Sequence, residues 1–484
     1  MNVVFISPPE RHSIENSLPE QIDQGGGVYP RLGLLYVASY FERATGLKTD
    51  FVDAPALRMD YARLEEEIRR RPIDVAGISV LTFNLIDACK AASLVKKHHP
   101  KARIVFGGHH ANYYPAESVR LPEVDYVITG DGEVSFTLLV EAIDRGEKPG
   151  ELDAIPGLSW SDGREAHVSS RRGDAGDLNG LPFPARHLIN LRNYNSLIGM
   201  RDVTATIQSS RGCPFACTFC DIRRTAFRYR EPANVVDEVQ SLLEQGIDDF
   251  FFVDDTITIR KKRVHEICRE IGRRGLKVNF KISSRVDCIT EDLLRDLRRA
   301  GCYRIHYGVE SASQRSLDYM EKGITPDEVR EVFRQTRKAG IGTYAYMMIG
   351  IPGETREEME ATFDFAVELD PDYCQFSICT PYPKTALYER MLRDGIVPYD
   401  YWQDFAERPR EGFRVKFWNP DFSEEELREI QQWGHRKFYG RPRFVLRELS
   451  RVRSLVDLKR KAAVGVSLLL GGRRRRPAAA ATPV

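Results

Sequence analysis

Short apolar runs alternate with amphipathic stretches along most of this chain. Over about the first 145 residues, strand-like runs at Val3–Ser7, Thr49–Val52, Val75–Ser79, Arg103–Phe106 and Asp125–Ile128 are separated by helical patterns such as Leu32–Ala44 and Asn84–His98. Strands joined in this way predict a parallel sheet with helices on both faces. From Val203 the alternation resumes with a longer repeat. Runs at Thr204–Ser209, Asp249–Val253, Val278–Ile282, Arg304–Tyr307, Tyr344–Ile349 and Gln375–Cys379 bracket helical segments including Val235–Leu243 and Pro326–Lys338. These six βα units make a partial parallel barrel, an architecture that carries its active residues on loops at the C-terminal ends of the strands. Between the two regions, prolines in Ala154–Gly157 and Leu181–Arg186 suit an extended connector. The expected organisation is α/β: a doubly wound parallel sheet over residues 1–145, a linker over 146–201, a partial (β/α)6 barrel over 202–400, and a helical basic extension with a disordered tail over 401–484.

With 484 residues, 42% of them hydrophobic, the chain can bury more than one sizeable core. A net charge of +1 conceals an asymmetry, because between Arg441 and Arg476 twelve Lys or Arg residues face only Glu448 and Asp457. Leu446, Leu449, Val452, Leu455 and Val456 recur among those charges at helical spacing. Such a helix has two readings: peripheral contact with an anionic membrane or acidic partner, or packing on the rest of the chain with its charges in water. Because the basic residues gather there without a stacking aromatic platform, nucleic acid is not expected as a partner. The apolar run Ala462–Leu470 is far shorter than the roughly 20 residues a bilayer span requires. Met1–Pro9 reads as a strand running into a turn, not a targeting peptide.

The candidate chemistry sits in Arg211-Gly-Cys-Pro-Phe-Ala-Cys-Thr-Phe-Cys-Asp221. Cys213, Cys217 and Cys220, spaced by three and then two residues, can turn three thiolates toward one point, as cysteines that hold an iron–sulfur cluster do. Three ligands on a 4Fe–4S cube leave one iron open, and an open metal position is where chemistry happens. Structural zinc wants four closed ligands, and no fourth Cys or His follows within short reach of Cys220. An odd total of nine cysteines in a long chain argues against a disulfide framework. Cys89, Cys268, Cys288, Cys302, Cys374 and Cys379 read as small buried hydrophobes, the cysteine usage of a reducing cytoplasm.

The cysteine motif resembles that of the radical SAM superfamily. The resemblance implies that the open iron chelates S-adenosylmethionine (SAM) and that the reduced cluster cleaves it to a 5′-deoxyadenosyl radical. The strand ends then become candidates for holding SAM. Asp254, next to Asp255, follows the second strand, although paired acids there equally suit a helix cap. Arg285 suits the SAM carboxylate, Glu310 and Ser311 beyond Gly308 suit its ribose, and Gly350 with Ile351 lets adenine lie against backbone. Phe219, between two of the cysteines, resembles an aromatic that shields the cluster. Lys384 stands where many members have glycine, so its loop either shapes a distinct substrate pocket or carries an ordinary surface lysine.

Ligands of doubly wound sheets sit beyond the carboxyl ends of the strands, and the residues there in the first region are Ser7–Pro9, Ser79–Thr82, Gly107–His109 and Gly130–Glu133. By pattern alone this is any flavodoxin-like or Rossmann-like binder. Upstream of the cysteine motif it resembles the cobalamin-binding domain of B12-dependent radical SAM enzymes, which also shares the texture of Pro30–Tyr36, Gly77–Ser79, Gly107–His109 and Gly130–Glu133. The resemblance makes Ser79, Thr82, Gly107, Gly108, Gly130 and Glu133 candidates for cobalamin contact. The Asp-x-His-x-x-Gly motif that gives cobalt a histidine in other cobalamin proteins is absent, which leaves His109 and His110 as the histidines near a corrin and implies a cobalt without a protein imidazole.

The function implied is methylation of an unactivated carbon on a small or medium-sized metabolite, with a 4Fe–4S cluster, SAM and cobalamin as cofactors and a flavodoxin or ferredoxin as electron donor. Relatives of this architecture also imply oxidative cyclisation, ring rearrangement or lipid tailoring without methyl transfer. A reading of another class is a corrinoid or cluster sensor without turnover.

Overall fold

The computed structural model describes residues 1–14, 27–194, 199–201 and 203–450. Two sheets organise it. The first contains β1 (Val3–Ser7), β2 (Thr49–Asp53), β3 (Val75–Ser79), β4 (Arg103–Gly107), β5 (Tyr126–Ile128), β6 (Leu158–Ser161) and β7 (Ala166–Val168), in the order β2-β1-β3-β4-β5-β6-β7. Pairing from β2 through β5 is parallel, as the alternation of strand and helix requires, and β1 is buried along its whole length.

Residues 146–201 depart from the extended connector expected of them. They form a helix, Pro149–Ala154, and then β6 and β7, which add to the edge of the first sheet in antiparallel sense. The reason is local. Leu158 and Trp160 put alternate apolar side chains into the core, and Gly157, at φ 74°, passes so close to Thr129 that an added Cβ would lie 2.4 Å from its carbonyl oxygen. The prolines that suggested a connector lie outside these strands.

The second sheet contains β8 (Ala205–Ile207), with β9 (Ser210–Arg211) and β10 (Arg228–Tyr229) forming a separate antiparallel pair, and then β11 (Asp249–Phe252), β12 (Asn279–Ser284), β13 (Cys302–Glu310), β14 (Gly342–Ile349) and β15 (Tyr373–Ile378). Its order, β15-β14-β13-β12-β11-β8, is all parallel, the partial barrel expected from the sequence. Burial separates its two faces. In β15, Cys374, Phe376 and Ile378 are buried against the outer helices, while Tyr373, Gln375 and Ser377 are only partly buried. The partly buried face lines the lumen.

Past residue 400 the chain packs back on the barrel. The helix Glu424–Tyr439 opens on a capping box between Ser423 and Glu426, and Gln431 donates to the Phe376 carbonyl (2.7 Å). The next helix, Pro442–Ser450, leaves Leu446 and Leu449 exposed (66% and 53%). Val452, Leu455, Val456 and the expected tail lie outside the described residues. Among the described residues no helix is long and apolar enough to cross a membrane.

A Cβ added at Gly434 would sit 2.0 Å from the Phe363 ring, so the helix Glu424–Tyr439 reaches its place only with glycine there. Gly434→Ala is expected to destabilise the protein by about 1–3 kcal/mol through overpacking. Chemical denaturation of the variant beside the wild type measures this directly.

Candidate functional site

The cysteine loop leaves β8 through β9 and returns through β10. Gly212, at φ 88°, allows the turn into Cys213, since a Cβ there would meet the Ala226 carbonyl oxygen at 2.2 Å. The Cys213 N–H donates to Thr225 Oγ1 (2.8 Å), and the Thr225 N–H returns a bond to the Cys213 carbonyl (2.9 Å). The Thr218 N–H donates to the Met320 carbonyl (2.9 Å), and its own carbonyl accepts from the Leu387 N–H (2.8 Å). Cys213 and Cys217 are buried, Cys220 is half-buried, and none is in a disulfide. Among the described residues no three His, Cys, Asp or Glu side chains gather closely enough for a single metal ion. The convergence expected of the three cysteines is therefore not on one ion. A cube presents a separate iron to each thiolate, so its ligands stand apart.

The acids after β11 serve this loop. Asp254 accepts from the Ser209 N–H (3.2 Å), from Ser209 Oγ (2.7 Å) and from Ser210 Oγ, and Asp255 accepts from the Gly212 N–H (3.0 Å). Asp254, expected at SAM, is instead enclosed by the strand that feeds the cysteines. Parallel pairing of β8 with β11 sets their ends side by side, which brings these groups together.

Arg285 directly follows β12. Its Nη1 is 3.2 Å from Cys217 Sγ, its guanidinium covers the Phe215 ring at 4.0 Å, and Asp287 holds its Nε and Nη2 (both 2.9 Å). Glu310, at φ 70° beyond a register shift in β13, pairs with Lys322 Nζ at 2.7 Å, both side chains being buried. Gly308 makes room for this pair, because a Cβ would lie 2.6 Å from Glu310 Oε1. Lys322, which sequence reasoning missed, also sets Nζ 5.7 Å from the centre of the Phe219 ring and gives its carbonyl to Arg285. Its signal was faint: a lysine shortly past a helix, on no strand end.

Ser311 turns away from the barrel mouth toward Glu354 (3.4 Å) and Thr362 (3.2 Å), so its expected place at a ribose is taken by protein contacts. Gly350, at φ 71°, fits beneath Leu427 and accepts from the Asn419 side chain (2.9 Å), while Ile351 is buried and donates its N–H to Glu354 Oε2 (3.2 Å). Exposed Lys384 occupies the left-handed region, at φ 58°, and places Nζ 4.9 Å from the Tyr114 ring centre of the first domain.

The first domain faces the cysteine loop. Ser79 and Gly107 are paired at the ends of β3 and β4, and a Cβ on Gly107 would meet nothing nearer than 4.0 Å. Gly108, at φ 109°, passes Val80 closely. Thr82 Oγ1 and His110 Nδ1 are 3.1 Å apart and buried, and burial pulls the His110 pKa down to about 3. His109 Nδ1 lies 3.0 Å from Asp221, which directly follows Cys220, and Tyr113 donates to the same carboxylate. At the other end of the loop, Arg211 pairs with Glu133 (2.7 Å) and Asp131 (2.9 Å). Glu133 is buried and holds Arg211, whereas Gly130 is exposed and its Cβ side packs on Gly173.

Residues 207–366 match the radical SAM superfamily model, and residues 22–140 match the B12 binding domain. An uncharacterized methyltransferase of Pyrococcus horikoshii is 30% identical over 454 residues, 93% of this chain and 95% of that protein. The chain belongs to the radical SAM enzymes that carry a B12-binding domain. An anaerobic magnesium-protoporphyrin IX monomethyl ester cyclase of Cereibacter sphaeroides is 30% identical over 410 residues, 83% of this chain and 65% of that one. In fold, the chain resembles the radical SAM methyltransferase TsrM of Kitasatospora setae (TM-score 0.70, 19% identity, 91% of this chain and 89% of that one). It also resembles the cobalamin-dependent enzyme OxsB (TM-score 0.72, 16% identity, 97% and 72%).

Both cofactor spaces fit the residues around them. The Arg285 guanidinium beside Cys217 would offset the negative charge of a cluster on that thiol, and Gly107 leaves space beside its backbone at the end of β4. Beneath the adenine candidates, burial lifts the Glu354 pKa from its ordinary 4.5 to about 7, outweighing bonds from the Ile351 and Gly350 N–H groups and Ser316. A carboxyl raised in the folded state costs stability as pH climbs from its unfolded value to its folded one, here by up to about 3 kcal/mol. Unfolding of Glu354→Gln, compared with the wild type at about pH 5 and about pH 8, is expected to lack that loss.

Proposed function

We propose that this protein methylates an unactivated carbon of a small or medium-sized metabolite, with a 4Fe–4S cluster on Cys213, Cys217 and Cys220, SAM beside it and cobalamin on the first domain. The observation that carries the proposal is the double grip on the cysteine loop: Arg211 before the first cysteine and Asp221 after the last are both held by residues of the B12-binding region. That grip faces a cobalamin surface toward a cluster, as transfer between two cofactors needs. When bound, the cluster and SAM supply hydrogen abstraction from carbon and cobalamin supplies a methyl group.

The chain's residues orient and enclose. Arg285 holds the carboxylate of SAM, a role its position beside Cys217 supports. Lys322 fixes Glu310 at the mouth of the barrel and sets its ammonium over Phe219, which covers the cluster side. Ser79, Gly107 and Gly108 offer backbone and a hydroxyl to the corrin, and Gly350 with Ile351 offers backbone to adenine. His109 is engaged by Asp221 and His110 by Thr82, which supports a cobalt without a protein imidazole. A flavodoxin or ferredoxin supplies the electron in the cytoplasm. Exposed Arg443 with exposed Leu446 and Leu449 supports peripheral contact with anionic lipid.

A second reading, cyclisation or rearrangement without methyl transfer, is favoured by the 30% identity to the cyclase. Anaerobic reconstitution with iron, sulfide and methylcobalamin, then reduction with SAM, separates them. The methylase forms 5′-deoxyadenosine together with S-adenosylhomocysteine, and Cys213→Ala loses both. Deoxyadenosine without S-adenosylhomocysteine supports the second reading, and no SAM cleavage at all leaves the sensor. On vesicles, phosphatidylglycerol is expected to sediment the full chain and phosphatidylcholine to leave it in solution.

A further inference from the structure

The adenine candidates Gly350 and Ile351 lie on a short turn between β14 and the helix Arg356–Leu369. A turn has no ladder of its own, so each of its carbonyls needs a separate donor. The Ile349 carbonyl accepts from the Cys379 N–H (2.8 Å) and the Ile351 carbonyl from the Glu354 N–H (2.8 Å), both within the barrel. The Gly350 carbonyl between them is answered from elsewhere. Its donor is Asn419 Nδ2 (2.9 Å), 69 residues further along, in the C-terminal extension.

The orientation of that amide is fixed. Asn419 Oδ1 accepts from the Asp421 N–H (2.9 Å) and the Phe422 N–H (3.1 Å), which leaves Nδ2 to face the Gly350 carbonyl. Phe422 directly precedes the Ser423 capping box, so the amide is tied to the start of the helix Glu424–Tyr439. One turn into that helix, fully buried Leu427 closes the side of Gly350 that carries no side chain, where a Cβ would lie 2.9 Å from Leu427 Cδ2. The extension grips the neighbouring strand end as well: the Pro381 carbonyl accepts from Trp402 Nε1 (2.8 Å) and from Tyr401 Oη (3.4 Å). All of these donors lie beyond residues 207–366, the radical SAM match. The mouth of the barrel is therefore completed by a part of the chain outside that match.

We propose that Asn419 is a positioning residue for SAM: backed by Leu427, it holds the Gly350–Ile351 backbone in the place where adenine lies against it. Asn419 touches no reacting atom and acts through the Gly350 carbonyl. The proposal rests on the reading of Gly350 and Ile351 as the adenine contact. Without Asn419 the turn is held from the barrel side, where Glu354 Oε2 accepts from the Ile351 N–H (3.2 Å). SAM itself then has to order the other side, and that ordering shows as weaker binding rather than slower cleavage.

The test is calorimetric titration of SAM into the reconstituted full-length enzyme with its cluster oxidised, beside SAM cleavage after reduction. Asn419→Asp keeps the acceptor that closes the turn at Phe422 and removes the donor to Gly350. It is expected to raise the Kd for SAM about tenfold, as loss of one hydrogen bond does, and to leave kcat for cleavage within about twofold of the wild type. Circular dichroism and iron content confirm that each variant is folded and loaded. An unchanged Kd in Asn419→Asp, or a fall in kcat without a rise in Kd, would overturn the assignment. Ile351→Ala separates this failure from failure of the adenine reading. If Ile351→Ala raises the Kd and Asn419→Asp does not, Asn419 has no positioning role; if neither raises it, adenine does not lie on this turn and both ideas fall. Neither readout depends on whether methyl transfer follows cleavage.

Discussion

The grip of the first domain on the cysteine loop is the constraint around which this molecule is arranged. Arg211 is largely buried against Glu133 and Asp131 and lies 5.3 Å from the Tyr36 ring centre, so its charge is answered on several sides. Removing one partner of such a buried pair typically costs about 3–5 kcal/mol, because the other charge is left unanswered. At the far end, Asp221 draws His109 and Tyr113 across the same boundary, and its carboxylate raises the pKa of His109. The loop is tied to the B12-binding region at both ends, and the three cysteines lie between the ties.

That arrangement explains why several acids near the barrel mouth do not reach for a ligand. Asp254 and Asp255 hold Ser209, Ser210 and Gly212, Glu133 holds Arg211, and Glu310 is held by Lys322. A loop carrying three thiols has little regular secondary structure of its own, and its backbone and side-chain groups must still be satisfied. Acids on the neighbouring strand ends do this. Space remains beside the Gly107 backbone, and Arg285 sets its positive charge beside Cys217.

The barrel separates two jobs by the two-residue period of its strands. One face, including Phe250, Ile282, Ile305, Tyr307, Ala345 and Phe376, packs beneath the helices and holds the fold. The other carries Lys281, His306, Tyr344 and Tyr346 into the lumen. Chemistry on the second face can therefore vary without disturbing the first.

The sequence by itself determined the elements. Alternating apolar runs and helical patterns set both parallel sheets, and the spacing of Cys213, Cys217 and Cys220 named the chemistry, because period and spacing are local properties. The strands within residues 146–201 were hidden because the turn at Gly157 rests on a contact with distant Thr129. Lys322 and the Arg211–Glu133 pair were hidden for the same reason. Lys281 and Arg304 lie far apart along the chain and become neighbours only through the register of β12 and β13. Which charges meet is decided by pairing across the sheet and between domains, and only the tertiary structure fixes that pairing.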